Sequence, residues 1–142
     1  MTRWLDSNRP LLVSHSSSRA FLTCRPGKKL WGGRWVRGTS MHPEYGPASI
    51  AVKSGPIVQG IPNFEVMDER YSYLRTSPCI RVRAHHNYEG QEHPVLWSLE
   101  RPSAGGRTGR TFYDALGHDA ASYESPEHRE LLLRAIDWLT AV

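Results

Sequence analysis

The pattern of apolar and polar residues is clearest near the C-terminal end of the chain. A run of aromatic and β-branched residues from Arg110 to Leu116 predicts a strand, because such side chains suit a pleated, half-buried surface. Gly117 follows and frees the backbone to turn. His118 and Asp119 therefore stand where the predicted strand ends. Ligands of α/β folds bind outside the carboxyl ends of strands, so this polar pair marks a candidate site.

A helix is predicted after this strand and a short loop. Ser125 is of the type favoured at an N-cap, and Pro126 and Glu127 suit the first helical turn. The helix should run from about Pro126 to about Thr140. Its apolar stripe is predicted from residues at three- and four-residue spacing, namely Leu132, Ala135, Ile136 and Leu139.

Shorter runs earlier in the chain predict further strands, but no further convincing helix. The run from Leu11 to Val13 is too short for a helix and predicts a buried strand. Residues 48–52, 80–84 and 94–99 also favour strands, whereas 85–93 is predicted to be a polar loop containing a solvated His85–His86 pair, and 102–109 a glycine-rich hairpin. Five or six strands with one helix are too few helices for a doubly wound sheet. The fold is therefore either α+β or an α/β domain that lacks a part.

Composition narrows the class of protein. A chain of 142 residues can build one domain with a core. The net charge is +4, but the basic residues are scattered rather than clustered with aromatics, which argues against nucleic-acid binding. No apolar run is long enough to cross a membrane, and the start lacks a signal-peptide core. Cys24 and Cys79 lack C-x-x-C spacing and are predicted as core thiols of a cytoplasmic protein.

A set of short motifs, taken in order, resembles the trehalose-utilisation (ThuA-like) family. This family belongs to the flavodoxin-like α/β group that includes the class I glutamine amidotransferases. The resemblance covers the chain from about residue 11 to the C-terminus, and residues 1–10 are predicted to be an irregular lead-in. The motifs are Val13–Ser17, Gly32–Trp35, Ser40–Pro43, Pro56–Phe64, Asp68–Tyr71, His93–Trp97, Gly109–Tyr113 and Gly117–Asp119.

The resemblance implies an α/β, flavodoxin-like sheet flanked by helices, which is incomplete in this chain. The family domain opens with several β-α units before the strand that ends at His15, and these units are expected to be missing here. Gly55 stands where the family often has a histidine. Absent strands would leave an unpaired sheet edge, so a homo-oligomer is expected.

The same resemblance suggests where the site lies. The strand ending at Ser14 corresponds to one that presents a nucleophilic cysteine in the amidotransferase-like group, but here His15 and Ser16 follow it. A thiolate amidase mechanism is therefore excluded. His118 matches the catalytic-histidine position of the group, with Asp119 beside it. His15 and His118 are expected to face one crevice.

Several alternatives stay open at this point. His42, Glu69 and Tyr71, together with Ser16, are candidates for substrate binding, although His15 and His118 can equally be hydrogen-bonded structural residues. Three histidines with Asp119 or Glu69 can also bind zinc or another divalent ion, provided that they converge in space. No H-E-x-x-H or comparable local spacing supports a metal by itself.

The resemblance implies sugar catabolism, with a disaccharide such as trehalose, or its 3-keto derivative, as a small-molecule substrate. Histidine can accept or donate a proton at neutral pH, so we expect acid/base chemistry by His118, assisted by His15 and Asp119. The alternatives are a non-catalytic glycan-binding or assembly domain, and an inactive fragment.

Overall fold

The main element of the fold is a mixed sheet of six strands. The structure is a computed structural model that describes residues 9–19, 30–102 and 108–141. A separate pair of short strands consists of β2 (Gly33–Arg34) and β5 (Arg75–Thr76). Short 3-10 turns cover His15–Ser18, Pro56–Val58 and Ala120–Glu124. The strands and the C-terminal helix are β1 (Leu11–Ser14), β2 (Gly33–Arg34), β3 (Gly46–Val52), β4 (Phe64–Asp68), β5 (Arg75–Thr76), β6 (Arg81–Tyr88), β7 (Gln91–Pro102), β8 (Thr108–Asp114) and α1 (Pro126–Thr140).

Strand direction brings four carboxyl ends to one edge of the sheet. The order is β1-β8-β7-β6-β3-β4, with β1 parallel to β8 and every other neighbour antiparallel. Strands β1, β8, β6 and β4 therefore point the same way. Only two residue pairs join β3 to β6, Ala51 with His85 and Val52 with Ala84. After this narrow junction the sheet curls. The end of β4 thereby comes close to the loop that follows β8, where the Gly117 N–H donates to Asp68.

The core is built around two stacked aromatic rings on neighbouring strands. Trp97 of β7 and Tyr113 of β8 are fully buried, and their ring centroids lie 4.2 Å apart. The Trp97 indole N–H donates to the backbone oxygen of Trp31 at 2.6 Å, which satisfies its buried polar atom. A side chain at Gly33 would overlap the indole ring, and one at Gly32 would overlap the Ile80 side chain, so this packing requires glycine at both positions.

Helix α1 begins as predicted, and part of its predicted apolar face is buried. The Ser125 hydroxyl accepts a hydrogen bond from the N–H of His128, and Pro126 occupies the first turn. Leu131, Ala135 and Leu139 are buried, whereas Ile136 is 42% exposed. The predicted stripe was wrong at Ile136, because the helix turns a face centred on Leu131 and Ala135 toward the sheet. No described helix is long and apolar enough to cross a bilayer.

Two further predictions were wrong. His85 and His86 do not form a solvated loop; they belong to β6 and are buried, because β6 continues through them to Tyr88 and pairs with β7. Cys79 is exposed rather than part of the core. The predictions for residues 1–8, for Cys24 and for the tip of the 102–109 hairpin lie outside the described residues.

A buried imidazole and carboxylate join α1 to the end of β8. Both His128 and Asp114 are almost fully buried, and His128 Nε2 lies 2.9 Å from Asp114 Oδ2. His128 Nδ1 lies 2.9 Å from the backbone oxygen of Ser122. Both ring nitrogens face acceptors, which favours the doubly protonated ring. Burial lowers the pKa of His128, but the hydrogen bond and the charge of Asp114 outweigh it, so the pKa is raised overall.

This pair predicts a pH-dependent contribution to stability. A raised folded-state pKa stabilises the protein fully below the unfolded value of about 6.5, and the contribution disappears as the pH rises through the folded-state pKa. Asp114→Asn should therefore lower the free energy of unfolding more at pH 6 than at pH 8.5. Urea unfolding of both proteins across this range measures the difference. A difference that stays constant with pH would contradict a charged His128.

Candidate histidine–glutamate site

The loops that follow β1, β2, β4 and β8 bring four titratable side chains together. We call His15, His42, Glu69 and His118 the histidine cluster. Glu69 is at its centre: its Oε2 lies 3.3 Å from His118 Nδ1 and 3.7 Å from His15 Nε2, and its Oε1 lies 3.7 Å from His42 Nε2. The His118 side chain is 42% exposed and that of Glu69 is 15% exposed. One carboxylate thus lies close to three imidazole rings at the edge of the sheet.

The backbone at the end of β1 holds the His15 ring in one orientation. His15 has φ of +43°, a left-handed conformation that is uncommon for a residue with a side chain. Its carbonyl accepts a hydrogen bond of 2.7 Å from the Tyr113 hydroxyl. Its Nδ1 lies 3.1 Å from the Ala115 carbonyl, which can only accept, so Nδ1 carries the proton. In the neutral ring, Nε2 therefore points its lone pair into the cluster.

A buried carboxylate ties the end of β4 to the loop after β8. Asp68 is fully buried, and its oxygens accept from the backbone N–H groups of Glu69 at 2.7 Å, Gly117 at 2.7 Å and His118 at 3.3 Å. These bonds fix the two segments that carry Glu69 and His118. Gly117 has φ of +98°, and a side chain there would overlap the Tyr123 hydroxyl, so the loop requires glycine.

A two-residue bridge places His42 beside Tyr71. Met41 and Ser72 exchange two backbone hydrogen bonds, at 3.1 and 2.8 Å. The His42 and Tyr71 rings then stack with centroids 5.7 Å apart. His42 Nδ1 lies 2.9 Å from the Pro43 carbonyl, so this nitrogen also carries the proton. The other nitrogen, Nε2, faces Glu69.

Tyr71 supports the cluster from the inside. It is 2% exposed, and its hydroxyl lies 3.2 Å from His15 Nε2. Burial and the nearby charge of Glu69 raise the pKa of Tyr71 to about 12, so the phenol stays protonated. With its proton in place, the hydroxyl donates to the lone pair of His15.

Of the predicted pairs, the structure brings some together and separates others. The His15 and His118 rings meet edge to face at 5.5 Å, as expected for one shared crevice. Asp119, by contrast, accepts hydrogen bonds from the Ala121 N–H at 2.9 Å and the Tyr45 hydroxyl at 3.1 Å, and it caps the turn that follows. The partner of His118 is Glu69 instead. Ser16 lies exposed in the turn after β1.

Sequence reasoning missed two residues of the site. Tyr45 is 39% exposed, and its ring lies 5.4 Å from that of His118. Asp68 entered the sequence analysis only as part of a family motif, and its carboxylate is buried on backbone N–H groups. The signal that marks Asp68 is its place as the last residue of an alternating strand, where a buried position falls on an acid.

The departure from the family pattern at Gly55 also has a structural counterpart. Gly55 has φ of +143°, and a side chain there would overlap the guanidinium of Arg83. Arg83 is itself buried and donates through Nε to the Ser98 hydroxyl at 3.0 Å. A histidine at position 55 would therefore require Arg83 to move.

The fold and the cluster define an α/β protein whose candidate site lies where several sheet strands end. A family model described as trehalose utilisation (ThuA) matches residues 2–139, and the chain belongs to this family. A solved ThuA-like protein from Bacteroides uniformis is similar in structure, with a TM-score of 0.69 at 16% sequence identity. The alignment covers 92% of this chain but 58% of that one. No curated protein matches the sequence.

The role of Asp68 predicts the effect of removing one of its oxygens. In Asp68→Asn the amide oxygen can keep two of the three backbone donors, but the amide nitrogen would face the N–H of Gly117. One unsatisfied buried donor should lower the free energy of unfolding by about 1–3 kcal/mol. Urea unfolding measures this, and the ring protons of His118 in NMR spectra should shift because the loop loosens.

Asp137→Asn on the exposed face of α1 is the matched control. Equal stability losses in the two variants would contradict a special role for Asp68.

Proposed function

We propose that the chain takes part in sugar catabolism and acts on a disaccharide, or on its keto derivative, by acid/base chemistry in the histidine cluster. Family membership supports the trehalose-utilisation context. The observation that carries the chemistry is the position of Glu69, whose carboxylate lies within 3.3 to 3.7 Å of three imidazole nitrogens. Such an arrangement lets protons be shared among groups that can both accept and donate them.

The exposure of the cluster residues orders their roles. His118 is the most exposed of the three imidazoles and is the one that a sugar hydroxyl would meet first. Glu69 lies behind it at 3.3 Å and accepts its proton. His15 lies deeper, with its tautomer held by the Ala115 carbonyl. Protons can therefore pass from the rim inward through Glu69.

The surroundings of His118 also suit a sugar. The half-exposed Tyr45 ring stands beside it and offers an apolar face, while the Tyr45 hydroxyl and Asp119 provide polar atoms at the rim. Pyranose rings combine an apolar face with hydroxyl groups at their edges, so a surface of this composition matches them.

The test measures turnover of trehalose and 3-keto-trehalose by the purified chain, followed by chromatography and mass spectrometry. His118→Ala and Glu69→Gln should each lower kcat by roughly 100- to 10,000-fold, the usual contribution of a positioned acid or base. His85→Gln is the matched control, because His85 of β6 pairs with Glu92 of β7 and not with a residue of the cluster.

Unchanged rates in His118→Ala and Glu69→Gln would contradict the proposal. Saturable sugar binding without turnover, and unaffected by either substitution, would favour the glycan-binding alternative instead. Calorimetric titration of each variant with the same sugars separates these outcomes, because it reports binding whether or not a reaction follows.

A further inference from the structure

The histidine cluster also presents the donor atoms of a metal site. His15, His118 and Glu69 each offer one ligand atom, and these atoms lie within 4.8 Å of one another. Imidazole nitrogen and carboxylate oxygen together suit zinc and neighbouring divalent transition metals. We propose that these three residues bind one divalent ion of this class.

The distances are close to those that a bound ion would impose. Zinc–ligand bonds of about 2.0–2.1 Å at tetrahedral angles place neighbouring ligand atoms about 3.3 Å apart. Glu69 Oε2 already lies 3.3 Å from His118 Nδ1 and 3.7 Å from His15 Nε2. The two imidazole nitrogens are within 4.8 Å and need to approach by at most about 1.5 Å. Rotation of the half-exposed His118 ring can supply this movement.

The contacts around the ligands match those of metal sites. A ligating histidine usually donates its second ring N–H to a carbonyl or carboxylate, which fixes the tautomer. His15 does so through Nδ1 to the Ala115 carbonyl, leaving Nε2 for the ion. Asp68 holds the backbone of both Glu69 and His118. The His15 ring and the backbone of the other two ligands are therefore in place before any ion arrives.

The number of ligands indicates a site with an open position. Structural zinc sites have four protein ligands, whereas catalytic ones have three and leave a position for water or substrate. His42 faces the other oxygen of Glu69 at 3.7 Å and lies outside the ligand set.

The use of the ion rests on the function proposed above, but its binding does not. A divalent ion would polarise a carbonyl or hydroxyl oxygen of the sugar. With the ion bound, His15, His118 and Glu69 would serve as ligands, and His42 would be the imidazole of the cluster left for proton exchange.

Tyr71 gives the proposal a distinctive prediction, because its hydroxyl donates to the His15 nitrogen that the ion needs. Tyr71→Phe keeps the ring packing and removes this competitor, so it should tighten zinc binding by about 2- to 10-fold, the equivalent of one hydrogen bond. A hydroxyl that merely supported the fold would leave affinity unchanged or weaken it on removal.

The experiment titrates the chain with zinc by calorimetry, without sugar and in the Cys79→Ser background, because Cys79 is an exposed thiol that can bind zinc itself. One ion per chain is expected. His118→Ala and Glu69→Gln should weaken binding beyond the roughly 10- to 100-fold loss that follows removal of an outer contact. His85→Gln should leave it unchanged. Cobalt substitution should give visible d–d bands without a thiolate charge-transfer band.

The proposal is overturned if no zinc binds, if His85→Gln weakens binding as much as His118→Ala, or if Tyr71→Phe fails to tighten it. Circular dichroism of each variant confirms that it is folded. Zinc binding without sugar turnover would keep the metal site and remove the proposed function. Turnover by a chain that binds no zinc would do the reverse.

Discussion

The carboxylate of Asp68 is the interaction on which the site depends. Strands β1 and β4 are the two edges of a six-stranded sheet, so in a flat sheet their ends would lie about 24 Å apart at about 4.8 Å per strand. The narrow β3–β6 junction lets the sheet curl, and Asp68 then accepts three backbone N–H groups from two separate loops. A buried carboxylate is tolerated because these donors satisfy its oxygens.

The curled sheet explains why one small surface carries the side chains that both proposed activities, proton transfer and metal binding, require. Each requires a histidine lone pair and a carboxylate directed at a common point. Glu69 supplies the negative charge, and the Ala115 and Pro43 carbonyls fix the tautomers of His15 and His42. The two proposals differ in what occupies His15 Nε2, the Tyr71 proton or a cation.

Local pattern was sufficient to predict most of the elements. The short apolar run at β1 and the Ser125–Pro126 start of α1 were correct because capping and strand length depend on neighbouring residues. The fold class came from the ordered motifs of the family, and the α/β fold is confirmed by a solved relative. The prediction of a solvated loop at His85 and His86 was wrong, because polar side chains can be buried in a strand when they have polar partners. Here His85 pairs with Glu92, and His86 contacts the Tyr71 carbonyl.

The site was predictable only in part, because its contacts cross the curl of the sheet. The family motifs placed His15 and His118 at one crevice, and their rings do meet. The pairing of His118 with Glu69 rather than with its sequence neighbour Asp119 follows from the approach of β4 to the end of β8. No spacing along the chain records that approach, so neither Asp68 nor Tyr45 was identified.

The tight turn at Glu89 and Gly90, between β6 and β7, divides the chain in a way that also divides the cluster. Residues 1–89 contain His15, His42 and Glu69, whereas residues 90–142 contain His118. A protein cut at this turn would therefore hold an incomplete set of side chains in each piece. Contact of Glu69 with all three histidines would then show that the two pieces had reassembled into one sheet.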